Sequence, residues 1–284
     1  VESLELRSYA KVNLTLDVLE KRPSDGYHYV RSVMVPISLA DTVTLERADS
    51  LALDSNTPIP GAKESNLAWR AAELLRQETG YTGGAHIYLR KVIPIAGGLA
   101  GGSTNGAAVL VGLNRLWGLG LTPEQLVTLA IRLGSDVPFF VPSKPARVEG
   151  IGERLTPLPV KRPVVMVIAT PAVAKSTGNV YKLFDELTRV ERPDSHAMEV
   201  ALASGDLEGV TAALGNVFEQ VMLPRHPEIR QLKEAMLQGG ALGALMSGAG
   251  PTVLGIVPDH EAGRGLLERI RGLAQCAYVV ETVL

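Results

Sequence analysis

The sequence predicts an α+β fold in two domains, residues 1–157 and 158–284. Three observations lead there. The chain has 284 residues, room for one large domain or two ordinary ones at ~100–200 residues each. Each half mixes strand-like and helical segments, the second as a split β-α-β arrangement on an antiparallel sheet. A proline-marked stretch, Thr156-Pro157-Leu158-Pro159 to Pro163, separates the halves.

Taken in order, Leu4–Arg7, Val12–Leu19, Ser32–Ile37 and Thr42–Glu46 read as strands from their alternation. Ser65–Gly80 reads as a helix, with Leu67, Ala71, Leu74 and Leu75 on one face and Gly80 as its stop. Ala85–Ile93 is a strand burying Ile87, Leu89 and one of Val92 or Ile93. A glycine-rich segment, 97–102, follows, and Ser103 is expected to cap a helix running toward Trp117. Thr122-Pro123-Glu124-Gln125 predicts another helix start, with Thr122 as cap and Gln125 completing a capping box. In the second half the expected elements are a strand at Val164–Ala169, helices from about Gly178 to Gln238, two strands flanking Gly248-Ala249-Gly250, a helix at Glu261–Gly272 and a strand at Ala277–Val283.

Composition narrows the function classes. Hydrophobic residues make up 46% and charged residues 20%, an ordinary globular balance that argues against disorder. The formal net charge is -2 and the basic residues are scattered. A nucleic-acid partner is not expected, because phosphate neutralisation needs a basic face. Cys276 stands alone, so no intrachain disulfide forms, which fits a reducing, cytoplasmic setting. His28, His86, His196, His226 and His260 never fall at metal-ligand spacing, which argues against structural zinc. Val1-Glu2-Ser3 carries neither a basic start nor an apolar segment, so no signal peptide is expected. Gly239 to Val257 is uncharged but holds six glycines and Pro251. It reads as strand, tight loop, strand rather than a membrane span.

The chemistry is concentrated in Pro94-Ile95-Ala96-Gly97-Gly98-Leu99-Ala100-Gly101-Gly102-Ser103-Thr104-Asn105. Small residues let a backbone approach phosphate and aim several N–H groups at it. A helix starting there adds unpaired N–H groups and a positive dipole end. Ser103 and Thr104 add hydroxyls that can donate to phosphate or touch a metal ion. The segment therefore reads as a polyphosphate site, against the plain alternative of a flexible turn. It is not a Walker A loop, since no Lys-Ser or Lys-Thr follows a spaced glycine pair, and Leu99 stands where a dinucleotide fingerprint needs its second glycine. Protein-kinase His-Arg-Asp and Asp-Phe-Gly signatures are missing.

The pattern Pro-x-x-x-Gly-Leu-x-Gly-Gly-Ser-x-Asn resembles the ATP loop of the GHMP kinases, with Ala100 and Gly106 where that family more often has Gly and Ala. Other segments are similar in order along the chain: Ala10-Lys11-Val12-Asn13-Leu14, Asp25-Gly26-Tyr27-His28, Gly134-Ser135-Asp136-Val137-Pro138, Gly150-Ile151-Gly152-Glu153 and Ser247-Gly248-Ala249-Gly250-Pro251-Thr252. The resemblance implies an N-terminal domain like the second domain of ribosomal protein S5 and a ferredoxin-like C-terminal domain, with the site in the cleft between them. It implies ATP as co-substrate with Mg2+ expected, no residue standing out as the metal ligand beyond Ser103. The Asp-Gly-Tyr-His segment is similar to one that, in a single branch of the family, recognises the cytidine end of a substrate on the non-mevalonate route to isoprenoids. The implied activity is phosphorylation of a 2-hydroxyl on that small cytidylyl substrate, by a monomer or weak homodimer. Another GHMP small-molecule kinase and a non-catalytic ATP or metabolite sensor remain the alternatives.

Residue by residue, the resemblance makes Asp136 the acceptor of the hydroxyl proton and gives Lys11 the task of keeping Asp136 ionised and stabilising phosphate oxygens. Without it, Lys11 reads as a solvated strand charge and Asp136 as a turn or cap residue. Tyr27 can stack a pyrimidine and His28 can hydrogen-bond its edge, or the pair packs a hairpin end. Tyr181 offers a second aromatic face or faces the core. Asn13 is expected near the accepting hydroxyl. Asn66 and Lys91 are expected at the nucleotide, against a helix cap for Asn66 and an exposed strand position for Lys91.

Overall fold

Two strands are far longer than their apolar patterns suggest. β1 (Ser3–Lys21) runs unbroken through both segments read near the start, and β2 (His28–Ala48) joins the next two. Polar residues such as Ser8, Lys11 and Asp41 interrupt the apolar pattern, yet all of them are buried within the continuous strands. This computed structural model describes residues 3–58, 60–95, 97–172 and 180–284. Ala96 and Ser176-Thr177-Gly178-Asn179 lie outside the described residues.

The chain forms two compact units, one from 1–10, 39–95 and 100–143, the other from 11–38, 96–99 and 144–284. Each long strand thus serves both units, and the units interleave along the chain.

In the first unit the second half of β2 pairs antiparallel with β4 (Gly84–Arg90), from Thr42↔Arg90 to Ala48↔Gly84, and β3 (Ala52–Ser55) pairs parallel with β4. Ile87 and Leu89 are buried as expected; β4 stops at Arg90, so Ile93 is buried by the loop while Val92 is exposed. The α-helices described in this unit are α1 (Leu67–Thr79), α2 (Gly101–Trp117) and α3 (Pro123–Ala130). Asn66 caps α1 by accepting the Ala68 N–H at 2.9 Å, and Gly80 ends it in the left-handed region. The Thr122–Gln125 capping box forms at α3. A hydrophobic face on α1, with Ala71, Leu74 and Leu75 buried, packs toward the core that Leu110 and Leu113 of α2 share.

In the second unit the hairpin β5 (Ala146–Gly150) and β6 (Arg154–Pro157) pairs with the first half of β2, from Val30↔Gly150 to Met34↔Ala146. The Gly150-Ile151-Gly152-Glu153 motif is its turn, closed by Glu153 Oε2 accepting the Ile151 N–H at 2.7 Å. β7 (Val165–Thr170) lies at the centre of an antiparallel sheet. The stretch expected to be helical breaks into α4 (Val180–Asp185), α5 (Ser195–Ser204), α6 (Leu207–Ala212), α7 (Glu219–Met222) and α8 (Pro227–Gln238). Between α6 and α7 a two-residue strand, β8 (Gly215–Asn216), pairs parallel with β1 at Thr15 and Leu16. Two residues are too short for any periodicity to register. Then come β9 (Gly243–Met246), β10 (Val253–Ile256), α9 (His260–Ile270) and β11 (Cys276–Glu281). The sheet order β11-β7-β10-β9, all pairs antiparallel, is the split β-α-β, ferredoxin-like arrangement expected for the second half. Among the described residues no helix is long and apolar enough to cross a membrane.

Candidate active site

β1 alternates with period two, and both of its faces are buried from Ala10 to Leu16. Val12, Leu14, Leu16 and Val18 form the apolar face. The other face presents Lys11, Asn13, Thr15 and Asp17, each 6% exposed or less. A buried polar row costs stability unless every group is paired. Lys11 Nζ donates to Asn13 Oδ1 at 2.7 Å, and Asn13 Nδ2 donates to Ser32 Oγ at 2.8 Å. Ser32 Oγ in turn donates to the Thr15 carbonyl at 2.6 Å, and Thr15 Oγ1 meets Ser195 Oγ at 2.9 Å. Burial pushes the Asp17 carboxyl up, against the pull of the paired Arg192. Lys11 is therefore no solvated strand charge: it is an ammonium held in a fixed place by an amide.

Two glycine loops of the second unit meet beside this row. Thr252 N–H donates to the Gly97 carbonyl at 3.3 Å, and Lys11 N–H to the Leu99 carbonyl at 3.3 Å. The Leu99 side chain is 1% exposed and anchors the loop. Gly98 has φ +80, and a Cβ there would lie 2.7 Å from the Gly250 carbonyl oxygen and 3.0 Å from that of Ser247. Gly248, at φ +57, leaves room that a Cβ would fill 3.5 Å from Asn13 Oδ1 and 3.7 Å from Lys11 Nζ. Gly98→Ala is expected to weaken phosphate binding at this loop about tenfold, as for one disrupted hydrogen-bonding contact, and to cost about 1–3 kcal/mol from backbone strain. Gly118→Ala is the control: its φ is +71, but nothing lies within 4 Å of its Cβ position. Urea unfolding and steady-state kinetics on both separate the cost of the dihedral from the cost of the close approach.

In the first unit α2 opens at Gly101, and its cap is Ala100 in the left-handed region (φ 57), with no side-chain cap. Ser103 lies inside the first turn, so the expectation that it caps the helix is corrected. The ladder starts with Thr104 N–H to the Ala100 carbonyl at 3.0 Å, which leaves the N–H groups of Gly101, Gly102 and Ser103 without intrahelical acceptors. These three adjacent donors at a dipole's positive end suit an anion. Thr104 is interior, 2% exposed, its hydroxyl accepting from Ser8 Oγ at 3.0 Å. Ile95 is half exposed, and Pro94 intermediate.

Beneath this helix start lies a polar cluster that sequence reasoning missed. Asp41, 0% exposed, accepts from the Val92 N–H at 2.6 Å and the Ile93 N–H at 2.9 Å through Oδ1. Its Oδ2 takes Lys91 Nζ in an ion pair and Asn105 Nδ2 at 3.0 Å. Asn105 Oδ1 also accepts from Lys91 Nζ at 2.8 Å, and its Nδ2 donates to Ser8 Oγ at 3.0 Å. Lys91 is thus not an exposed strand residue; its side chain is 9% exposed and already paired. Close by in the same unit, a cavity of about 370 Å³ is lined by Asn56, Pro58, Pro60, Lys63 and Asn66 among others. Asn66 therefore both caps α1 and borders a cavity of a size for a small planar group.

Asp136 sits in the turn before Pro138–Phe140, half-buried. Val137 and Phe139 are 0% exposed, and Phe139 meets Phe140 edge-on at 5.2 Å. These apolar neighbours pin the turn.

In the second unit Asp25 Oδ1 accepts the Tyr27 N–H at 3.2 Å and Gly26 has φ +75, so Asp-Gly forms the hairpin between β1 and β2. Tyr27 itself is 63% exposed. His28 stacks on Tyr181, centroids 5.3 Å apart, and Tyr181 meets Phe218 edge-on at 4.9 Å. Tyr181 is 40% exposed, an aromatic face supported from below rather than a core tyrosine. Asp185 joins them: partial burial works against its charge, but Lys21 and His28 hold its carboxyl below the usual range. Among the described residues no group of three or more His, Cys, Asp or Glu could hold a metal ion.

Comparison with known proteins assigns the family. The model of the GHMP kinases N terminal domain matches residues 66–144, and that of the GHMP kinases C terminal region matches residues 198–273. A curated relative from Symbiobacterium thermophilum, 4-diphosphocytidyl-2-C-methyl-D-erythritol kinase, is 65% identical over 99% of this chain and 100% of its own length. A relative of the same name from Alkaliphilus metalliredigens is 43% identical over 99% of this chain and 97% of its own. A crystal structure of 4-(cytidine 5'-diphospho)-2C-methyl-D-erythritol kinase superposes with a TM-score of 0.84 at 34% identity, covering 98% of this chain and 99% of that one. A homoserine kinase from Cytophaga hutchinsonii, with a TM-score of 0.75 at 17% identity, shares the fold. Matched over 99% of its length by a relative 65% identical, this chain belongs to the GHMP kinase family, in the branch of the 4-diphosphocytidyl-2-C-methyl-D-erythritol kinases.

Proposed function

We propose that the protein transfers the γ-phosphoryl group of ATP to the 2-hydroxyl of 4-diphosphocytidyl-2-C-methyl-D-erythritol, giving ADP, the 2-phosphate and a proton, in the non-mevalonate route to isoprenoid precursors. The observation that carries the substrate is the 65% identity to a curated relative of that name over its full length. The exposed Tyr27 and the supported His28–Tyr181 stack favour a planar base at that end.

The phosphoryl group passes through a loose transition state, so the protein's work is positioning and charge stabilisation. The N–H groups of Gly101, Gly102 and Ser103 hold phosphate oxygens, with the backbone of Pro94 to Ala100 forming the approach. The cavity bordered by Asn66 takes the nucleotide base, and Lys91 fixes the loop that leads there. Asn13 orients the accepting hydroxyl, Lys11 stabilises the transferring oxygens, and Asp136 takes the hydroxyl proton as the new P–O bond forms. Magnesium, when bound, offsets the charge of the polyphosphate. A metal that keeps waters and takes mostly phosphate oxygens fits a chain whose described residues hold no acidic cage. Ser103 would supply the protein ligand. We further propose a cytoplasmic monomer or weak homodimer, with the functional halves dividing at 157/158.

The test is phosphorus NMR of the products from ATP, Mg2+ and the cytidylyl substrate, beside homoserine, mevalonate and galactose. A new phosphomonoester is expected on the cytidylyl substrate alone. Turnover of a different acceptor would discard the substrate assignment. ATP binding without turnover would favour a sensor.

A further inference from the structure

His28 is held by more than its neighbours' rings. It opens β2, and its side chain is only 7% exposed. One face stacks on Tyr181 with an interplanar angle of 23°, and Phe184 meets it edge-on at 6.3 Å. Its Nε2 lies 2.7 Å from Asp185 Oδ1, at the end of α4. The other oxygen, Oδ2, is 2.6 Å from Lys21 Nζ. The carboxylate is therefore shared, with one oxygen turned to an ammonium and one to the imidazole.

A carboxylate only accepts hydrogen bonds, so the proton in this contact sits on Nε2. In the neutral ring that leaves Nδ1 as an acceptor. Cytosine carries an amino donor at its 4-position, where uracil-type bases carry an oxo acceptor. An acceptor fixed at Nδ1 welcomes the first and leaves two acceptors facing each other with the second, which is costly in a partly dry site.

We propose that Asp185, steadied by Lys21, is a specificity-determining positioning residue that pins the proton of His28 on Nε2 and so selects an amino-bearing pyrimidine. Asp185 touches no substrate; it acts through His28. The inference rests on the reading that His28 faces the base.

Two measurements test it. The first uses histidine-labelled protein without substrate, where nitrogen NMR is expected to show His28 with its proton on Nε2. In Asp185→Ala the ring should become a mixture of tautomers or shift to Nδ1–H. The second is kinetics with the cytidylyl substrate and its uridylyl counterpart. Asp185→Ala is expected to raise the KM of the cytidylyl substrate about tenfold, as for one lost orienting hydrogen bond, with kcat nearly unchanged and discrimination reduced. Asp185→Asn keeps a carbonyl acceptor and should recover part of both. A native His28 protonated on Nδ1, or unchanged discrimination in Asp185→Ala, would overturn the proposal. So would an equal fall in kcat for both substrates together with lost thermal stability, since that marks a purely structural role. Failure of the native protein to phosphorylate any cytidylyl substrate would instead remove the functional reading, and the NMR result would still report whether Asp185 fixes the ring.

Discussion

Asp136→Asn is expected to lower kcat by about 10²–10⁴-fold and to leave the KM values and the unfolding midpoint close to native. The amide keeps the size and much of the hydrogen bonding of the carboxylate but cannot take a proton. A carboxylate is too weak a base to deprotonate an alcohol in the ground state, so its contribution appears only as the P–O bond forms and the hydroxyl becomes acidic. An interaction realised only in the transition state shows in kcat and not in binding. The fold should not suffer. Asp136 is half-buried, and the turn is pinned by Val137 and Phe139 rather than by its carboxylate alone. Steady-state kinetics with calorimetric ATP binding checks this. A kcat within tenfold of native, with ATP bound normally, would remove Asp136 as the proton acceptor.

Features whose partners are close in sequence were legible before the structure. Asn66 caps a helix because its Oδ1 reaches an N–H two residues on, and Thr122 and Gln125 close a box across three residues. Such contacts depend on local backbone alone. That a helix starts within the glycine segment was legible for the same reason, but its cap was not. Ala100 takes a left-handed conformation that sequence rules reserve for Gly and Asn, so Ser103 looked the better cap. The buried polar row of β1 was half legible. Its alternation is in the sequence, but whether water or Ser195, Ser247 and Arg192 cover that face depends on residues far along the chain. Asp185 fell outside every motif; only the fold brings it to His28, 157 positions away.

Asp41 is the extreme case of that non-locality, and its loss is expected to cost about 3–5 kcal/mol of stability. Read in sequence, it precedes a strand and looks like a surface acid. In the fold it is fully buried, and four donors converge on it. Asp41→Ala removes the acceptor of two backbone N–H groups and leaves the Lys91 ammonium, itself 9% exposed, with only the Asn105 amide. An orphaned buried charge is far costlier than the pair was worth, because desolvation is no longer offset. Against a typical total stability of about 5–15 kcal/mol, the variant should unfold at a much lower urea concentration. The double variant Asp41→Leu with Lys91→Met removes both charges and should recover part of the loss, a coupling that a mere packing defect would not give. Function should follow in a particular way. Asp41 ties residues 91–93 and, through Asn105, the first turns of α2, so the donors at Gly101, Gly102 and Ser103 lose their fixed spacing when it goes. The double variant, though refolded, is therefore expected to keep a raised KM for ATP. A loss below about 1 kcal/mol in Asp41→Ala, the level of an exposed ion pair, would show that water reaches the cluster and that the helix start is held by other means.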